Sequence, residues 1–355
     1  MRTAAAAPDH KELEETRAVA ARHPVLRWVA TGGAWVFLLD LLLILIFGLL
    51  SDDQVFWSLQ NAQALLLGGT EALLLALGLA MLLGAGVFDL SLGANLVLSS
   101  IVGARVIQLV AGTAPDASGQ FHDAGTAILL GLLACVLTGT LFGLINGLII
   151  AYLDVNSLIA TLGTMGVGTG LGLLITNGGD LGGLPPALQT GFGLFTLAHI
   201  PVPALVAILI GLALWTVLRY LKYGMRTLAI GSSRAAAERA GLRVRPHLVS
   251  LAVLAGTLAG LAGFVDISRF GSTTVSGHST DALTAVTAVV IGGTLLEGGR
   301  VSIPGAMWGT ILAVVLQGGL VILGVKPFFQ LIAIGVVLVA AVAIDRIRYK
   351  RREAR

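Results

Sequence analysis

Charge is what this sequence lacks first. Of its 355 residues only 12% are Asp, Glu, Lys or Arg, about half the roughly 25% of a soluble globular chain. A chain of this length with so little charge cannot cover a water-facing surface. That excludes a soluble fold and leaves lipid as the main solvent. Cysteine is nearly absent: the single Cys135 lies inside an apolar run, which excludes an intrachain disulfide and a thiolate metal cluster. Aromatic residues make up only 6%. There is no Walker A lysine motif, no H-E-x-x-H and no G-x-S-x-G. The six histidines (His10, His23, His122, His199, His247 and His278) fall in tails, loops or span ends, with no pair at ligand spacing. We therefore expect no catalytic residue, no metal and no cofactor. Basic residues flank apolar runs rather than forming a basic domain, so nucleic acid is not an expected partner. The first apolar run starts only after about 28 mixed residues, too far in for the apolar core of a cleavable signal peptide.

What is present is apolar and small. The apolar set reaches 56%, and glycine numbers 47, about 13% of the chain against roughly 7% on average. Small residues let transmembrane helices approach closely. Crossing a bilayer takes about 20 apolar residues. Runs of that kind occur near 30–50, 62–87, 91–111, 125–151, 157–176, 201–221, 248–267, 283–296, 303–324 and 328–344, the eighth being short enough for a partial crossing. The expectation is an all-α integral membrane protein of about ten transmembrane helices, with strands unlikely.

The 22 Lys and Arg residues orient it. Five lie in the N-terminal tail, six in the 222–247 loop and six after residue 345, with Arg219 and Arg300 beside them. Ten spans with both termini inside put 19 of these on the cytoplasmic face and leave only Arg269 and Lys326 outside, with Arg105 inside span three. The domains expected are a cytoplasmic tail (1–28), one transmembrane domain (29–345) containing the cytoplasmic loop 222–247, and a basic tail (346–355). Asp9 and Glu12 have capping-box spacing, so the N-terminal tail reads as a solvated or interfacial helix. Gly86-Val87-Phe88-Asp89-Leu90-Ser91 and Gly263-Phe264-Val265-Asp266-Ile267-Ser268 share G-x-x-D-[L/I]-S. They follow spans of opposite direction, which suggests an inverted repeat of spans 2–5 and 7–10.

Ionisable groups at membrane depth usually face protein or water. Glu71, halfway along span two, is the best candidate for a polar path. Asp40 suits a path or a structural partner, Asp89 a helix cap, and Arg105 a snorkelling position. Asn95, Asn146, Thr161, Thr164, Thr284, Thr287 and Gln317 add neutral hydrogen-bonding groups. These outnumber the charges, so an uncharged polyhydroxy solute fits better than an ion. After span six, Ser232 or Ser233 can cap a short helix through Arg234-Ala235-Ala236-Ala237-Glu238-Arg239-Ala240, which Gly241 can end. A rigid helix with little side-chain bulk suits docking into a groove of another protein.

Several blocks resemble a known family. They are Gly86–Gly93; Asn156–Met165 with Thr176-Asn177-Gly178-Gly179; Tyr223-Gly224, Ala229-Ile230-Gly231 and Ala240-Gly241-Leu242; Ala255–Gly263 with Ser268-Arg269; and Val289–Thr294 with Gly298-Gly299-Arg300. In this order, across about 60–345, they are similar to the permease subunit of ribose/xylose/arabinose-type ATP-binding-cassette importers, within the branched-chain-permease superfamily. The resemblance implies a dimer of permeases (a homo- or heterodimer with a second copy) and alternating access. It also implies a cytoplasmic ATP-binding subunit and an extracytoplasmic solute-binding protein. Ser233 to Gly241 would be the coupling helix to the ATPase. One departure is Ser279-Thr280-Asp281, where the family carries a Tyr-Glu-Leu-Asp-like segment. The expected function is import of a monosaccharide, a pentose, hexose or similar polyol, across the inner membrane of a prokaryote by a multi-pass subunit that is no enzyme. The alternatives are a nucleoside or branched-chain amino acid permease of the same superfamily, or an ion-coupled secondary transporter.

Overall fold

The computed structural model describes residues 32–326 apart from Ser118, Thr274, Ser276 and Ser279, and a few positions between 328 and 336. The N-terminal tail, most of the expected tenth span and the basic tail lie outside the described residues. The elements are α1 (Gly32–Leu50), α2 (Leu59–Gly84), α3 (Leu92–Ala111), α4 (Ala124–Tyr152), α5 (Ser157–Thr176), β1 (Thr196–Leu197), β2 (Ile200–Pro201), α6 (Val202–Tyr220), α7 (Lys222–Ser232), α8 (Arg234–Arg239), α9 (Val244–Phe270), α10 (Asp281–Ile291) and α11 (Ile303–Ile322). Seven of them, α2 to α6, α9 and α11, are long and apolar enough to cross a membrane.

Helix α2 forms the axis of the bundle. Leu74, Leu75, Leu77, Leu79, Met81 and Leu83 are fully buried, so it is apolar on every side, as a helix ringed by other helices must be. It packs against α9, α10, α11 and α6. Its 26 residues span about 39 Å at 1.5 Å per residue, more than the ~30 Å hydrocarbon layer. Helix α10 has 11 residues, about 16 Å, so it reaches only halfway. The chain then turns through Gly293, Gly298 and Gly299, all at positive φ.

Helix α4 sorts its side chains by size. Leu129, Leu133, Leu137, Leu141, Ile145 and Leu148 recur every three or four residues on the exposed face. Gly131, Cys135, Gly139, Gly143 and Gly147 occupy the buried one. Large groups meet lipid and small ones meet protein, because hydrocarbon solvates Leu well and close backbone packing drives helix association. The facing surface of α9 is equally small. A Cβ on Gly139 would stand 2.6 Å from the Gly260 Cα, and one on Gly256 2.7 Å from the Gly143 Cα. Only glycine permits that approach.

Two segments differ from expectation. Residues 222–232, read as loop, form helix α7, because Gly224, Thr227 and Ile230 are buried at i, i+3, i+6 spacing. Gly224 and Gly231 lower its intrinsic helix propensity. Tertiary contacts override this: Tyr223 Oη lies 2.8 Å from Ser250 Oγ, and Thr227 Oγ1 2.8 Å from His247 Nε2. Burial raises the Tyr223 hydroxyl above its ordinary pKa, and the Ser250 hydrogen bond partly offsets this. The second difference is β1–β2, a two-residue antiparallel ladder pairing Thr196 with Pro201 and Leu197 with Ile200. It sits in the long 177–200 connection where strands were not expected.

The two G-x-x-D-[L/I]-S segments also differ locally. Gly86, at φ +74°, stops the chain after α2, whereas Gly263 to Ser268 lie inside α9.

Candidate functional site

One end of the bundle gathers α7, α8, the end of α2 and the turn after α10, whose Gly299 N–H donates to the Gly84 carbonyl at 3.1 Å. The opposite end holds the start of α2, the end of α9 and the start of α10. In that half lies a cavity of about 510 Å³, lined by polar groups that include Asn61, Glu71, Arg269, His278, Asp281, Thr284 and Gln317. Three of the sequence-derived path residues, Glu71, Thr284 and Gln317, meet there. They come from α2, α10 and α11, and only the bundle brings them together.

Glu71 sits about midway along α2 and is 5% exposed. Its Oε1 lies 3.7 Å from Arg269 Nη1 and accepts no hydrogen bond. Arg269 stands in the last turn of α9, and Gly271, at φ +67°, closes that helix. The chain is then pinned: the Thr273 N–H donates to the Leu181 carbonyl at 2.9 Å, and the Leu181 N–H donates to Thr273 Oγ1 at 2.8 Å. This returns His278 to the bundle between two carboxylates. Its Nε2 is 3.1 Å from Asp266 Oδ1 on α9, and its Nδ1 is 2.7 Å from Asp281 Oδ2 at the start of α10. Burial alone would lower His278, but the hydrogen bonds and charges of Asp266 and Asp281 outweigh it and push its pKa up to about 10.

Asp266, Arg269, His278 and Asp281 were not among the sequence-derived site residues. The i,i+3 spacing of His278 and Asp281 was legible; the approach of α2, α9 and the 271–280 connection was not.

The other expected path residues are elsewhere. Asn146 donates to Asp89 Oδ2 at 3.3 Å and to Ser91 Oγ at 2.8 Å. Asp89 also accepts the Ser91 N–H at 2.8 Å and the Ser91 hydroxyl, so it holds the entry to α3 much as a capping group would. Thr161 Oγ1 accepts from the Leu90 N–H at 3.3 Å. Asn95 donates to the Gly139 carbonyl at 3.3 Å. These three groups thus hold the α2–α3 turn and the α3–α4 contact. The Thr164 and Thr287 hydroxyls donate back to the Thr161 and Leu283 carbonyls of their own helices.

Arg105 does not snorkel freely: it donates to the Ile175 carbonyl at 2.9 Å, near the C-terminal end of α5. Asp40 is 1% exposed on α1, with neither carboxylate oxygen hydrogen-bonded among the described residues.

At the other end, Ser233 caps α8 by accepting the Ala236 N–H at 3.3 Å, and Gly241, at φ +80°, follows the helix. Arg234, Ala235, Ala236, Glu238, Arg239 and Ala240 are exposed, while Ala237 is 4% exposed and faces the bundle. The short helix thus presents one small-residue face outward and anchors itself by the other.

The profile of the family described as branched-chain amino acid transport system / permease component matches residues 61–342. The chain is 33% identical over 338 residues to the galactose/methyl galactoside import permease protein of Salmonella typhimurium, covering 92% of this chain and 97% of that one. It is 37% identical over 276 residues to the ribose import permease protein of Bacillus subtilis, covering 77% and 80%. It is 29% identical over 312 residues to the D-allose transport system permease protein of Escherichia coli, covering 88% and 90%. No solved structure matches the chain.

Proposed function

The chain belongs to the branched-chain amino acid transport system / permease component family, as the membrane permease subunit of a monosaccharide importer of the ATP-binding-cassette type, and on that premise we propose that the cavity beside Glu71 is the outer part of the solute path. It is a multi-pass inner-membrane transport subunit and no enzyme. ATP hydrolysis belongs to a separate subunit, and a solute-binding protein delivers the sugar.

The observation that carries the path reading is the lining of the cavity. Asn61, Thr284 and Gln317 donate and accept, Glu71 and Asp281 accept, and Arg269 donates. Vicinal sugar hydroxyls need that mixture of donors and acceptors. The cavity, at about 510 Å³, is roomy for a monosaccharide. A path must hold its solute loosely, since a well that binds tightly in one state slows release into the next. Thr161 and Thr164, on α5, and the remaining expected path residues would act deeper, after rearrangement.

The arrangement we infer has ten spans with both termini cytoplasmic and spans 2–5 and 7–10 as inverted repeats. The excess of Lys and Arg on one side supports it, as do the two buried aspartates, Asp89 and Asp266, toward opposite ends of the bundle. Ser233 to Gly241 serve as the coupling helix, supported by the exposed Ala235–Ala236 face. A second permease copy covers α5, where Gly163, Gly166 and Gly170 have open space above them.

Proteoliposomes containing this subunit, its ATPase and its binding protein test the solute and the path. ATP-dependent uptake of labelled galactose or ribose is expected, with Gln317→Leu lowering the rate about tenfold, the loss of one to two hydrogen bonds. Preferred uptake of adenosine or leucine, or uptake driven by an ion gradient without ATP, overturns the solute reading. Wild-type rates in Gln317→Leu and Thr284→Val overturn the path reading.

A further inference from the structure

We propose that Glu71, Asp266 and His278 form a binding site for one first-row divalent transition-metal ion, Zn²⁺ or Co²⁺, in the inner wall of the cavity. The inference is independent of whether solute passes beside it.

Three observations carry it. The first is convergence. One ligand atom from each of the three residues lies within 4.8 Å of the others, and all three residues are buried. Two ligands of a tetrahedral ion, each at about 2.0–2.2 Å, stand roughly 3.4 Å apart. His278 Nε2 and Asp266 Oδ1 are 3.1 Å apart, so a shift of a few tenths of an ångström opens that pair to the ion, and the Glu71 carboxylate, within 4.8 Å of both, closes in as the third ligand.

The second is the outer partner. Metal-ligating imidazoles generally donate their other N–H to a carboxylate, which fixes the tautomer and aims the free nitrogen at the ion. Asp281 Oδ2 stands 2.7 Å from Nδ1 and does this here. The ring's other nitrogen, Nε2, faces the Asp266 carboxylate at 3.1 Å, and among the described residues Glu71, Asp266 and His278 form the one such group of potential ligands.

The third is the unfilled acceptor. Glu71 Oε1, in a residue only 5% exposed, has no hydrogen bond. Arg269 at 3.7 Å is farther than the about 2.7–2.9 Å of a charge-assisted hydrogen bond. A buried carboxylate oxygen left in that state is costly, and an ion satisfies it.

One imidazole with carboxylates favours Zn²⁺, Co²⁺ or Mn²⁺ over Mg²⁺ and Ca²⁺, which select oxygen alone.

The test uses the full chain in lipid nanodiscs, stripped with chelator and titrated with Zn²⁺. One ion per chain is expected. His278→Gln and Asp266→Asn should weaken binding at least about 100-fold, and Asp281→Asn, as the outer partner, about 10–100-fold. X-ray absorption at the zinc edge of the wild-type protein gives a readout that needs no variant: nitrogen and oxygen ligands at about 2.0–2.2 Å and no sulfur. Absence of stoichiometric binding overturns the proposal. So do a sulfur ligand, which would implicate Cys135, and undiminished binding in His278→Gln and Asp266→Asn.

Discussion

Gly256→Ala adds one methyl group to α9, and at most helical positions that change is harmless or helpful. Alanine is a better helix former than glycine by about 0.5–1 kcal/mol. Here the methyl has nowhere to go. It would stand 2.7 Å from the Gly143 Cα, with the Gly139 carbonyl closer still. These are backbone atoms of α4, which no rotamer change moves, so the two helices must part by about 1 Å to restore ordinary carbon–carbon contact. A gap of that size forfeits roughly a quarter to a half of each dispersion contact across the crossing. On the order of 30 atom pairs at ~0.15 kcal/mol each then lose about 1–2 kcal/mol, within the 1–3 kcal/mol typical of overpacked cores. Less the helix-propensity gain, the net expected loss is about 0.5–1 kcal/mol, a factor of roughly 2–5 in the folded-to-unfolded ratio. The assay is reversible unfolding in mixed detergent micelles, read by near-ultraviolet circular dichroism. Gly125→Ala, in the first turn of α4, is the control: nothing stands within 4 Å of its added Cβ. It should be neutral or slightly stabilising. Equal shifts for the two variants, or a Gly256→Ala protein as stable as wild type, would refute the claim that backbone contact at this crossing requires glycine.

Helix α8, proposed as the coupling helix, yields a paired prediction. Ala236→Trp, on the exposed face, should abolish copurification with the ATPase subunit while leaving thermal stability unchanged; Ala237→Trp should lower stability instead, because Ala237 is packed against the bundle. At the α2–α3 turn, Asn146→Ala removes donors to Asp89 and Ser91 and should cost about 1.5–3 kcal/mol in the same unfolding assay. A loss below about 0.5 kcal/mol would show that the buried carboxylate finds another donor.

The long helices were readable because lipid imposes a length and forbids unpaired backbone groups. The expected spans 157–176 and 91–111 agree with α5 and α3 to within a residue. The short eighth run proved to hold α10, a helix that by itself reaches only about halfway across. Helix α7 was hidden because its two glycines and its basic residues read as a loop, and its helical state rests on contacts with α2, α6 and α9. Helix α8 was legible from local chemistry, a capping Ser233 and a terminating Gly241 eight residues apart around about a turn and a half of alanine-rich chain. Which alanine faces inward was not, because that depends on the angle at which α8 meets the bundle.

The cluster at the cavity shows the division most clearly. Composition alone required a membrane solvent, because a charge-poor chain of this size has no other, and the placement of Lys and Arg expressed the cost of moving those charges across a bilayer. Glu71 was marked by its isolation in an apolar run. Its neighbours were not, since Asp266 and His278 lie far from it along the chain and meet it only where α2 and α9 cross. Side-chain burial and charge pairing are properties of that crossing, so the tertiary structure decided which polar groups share one cavity.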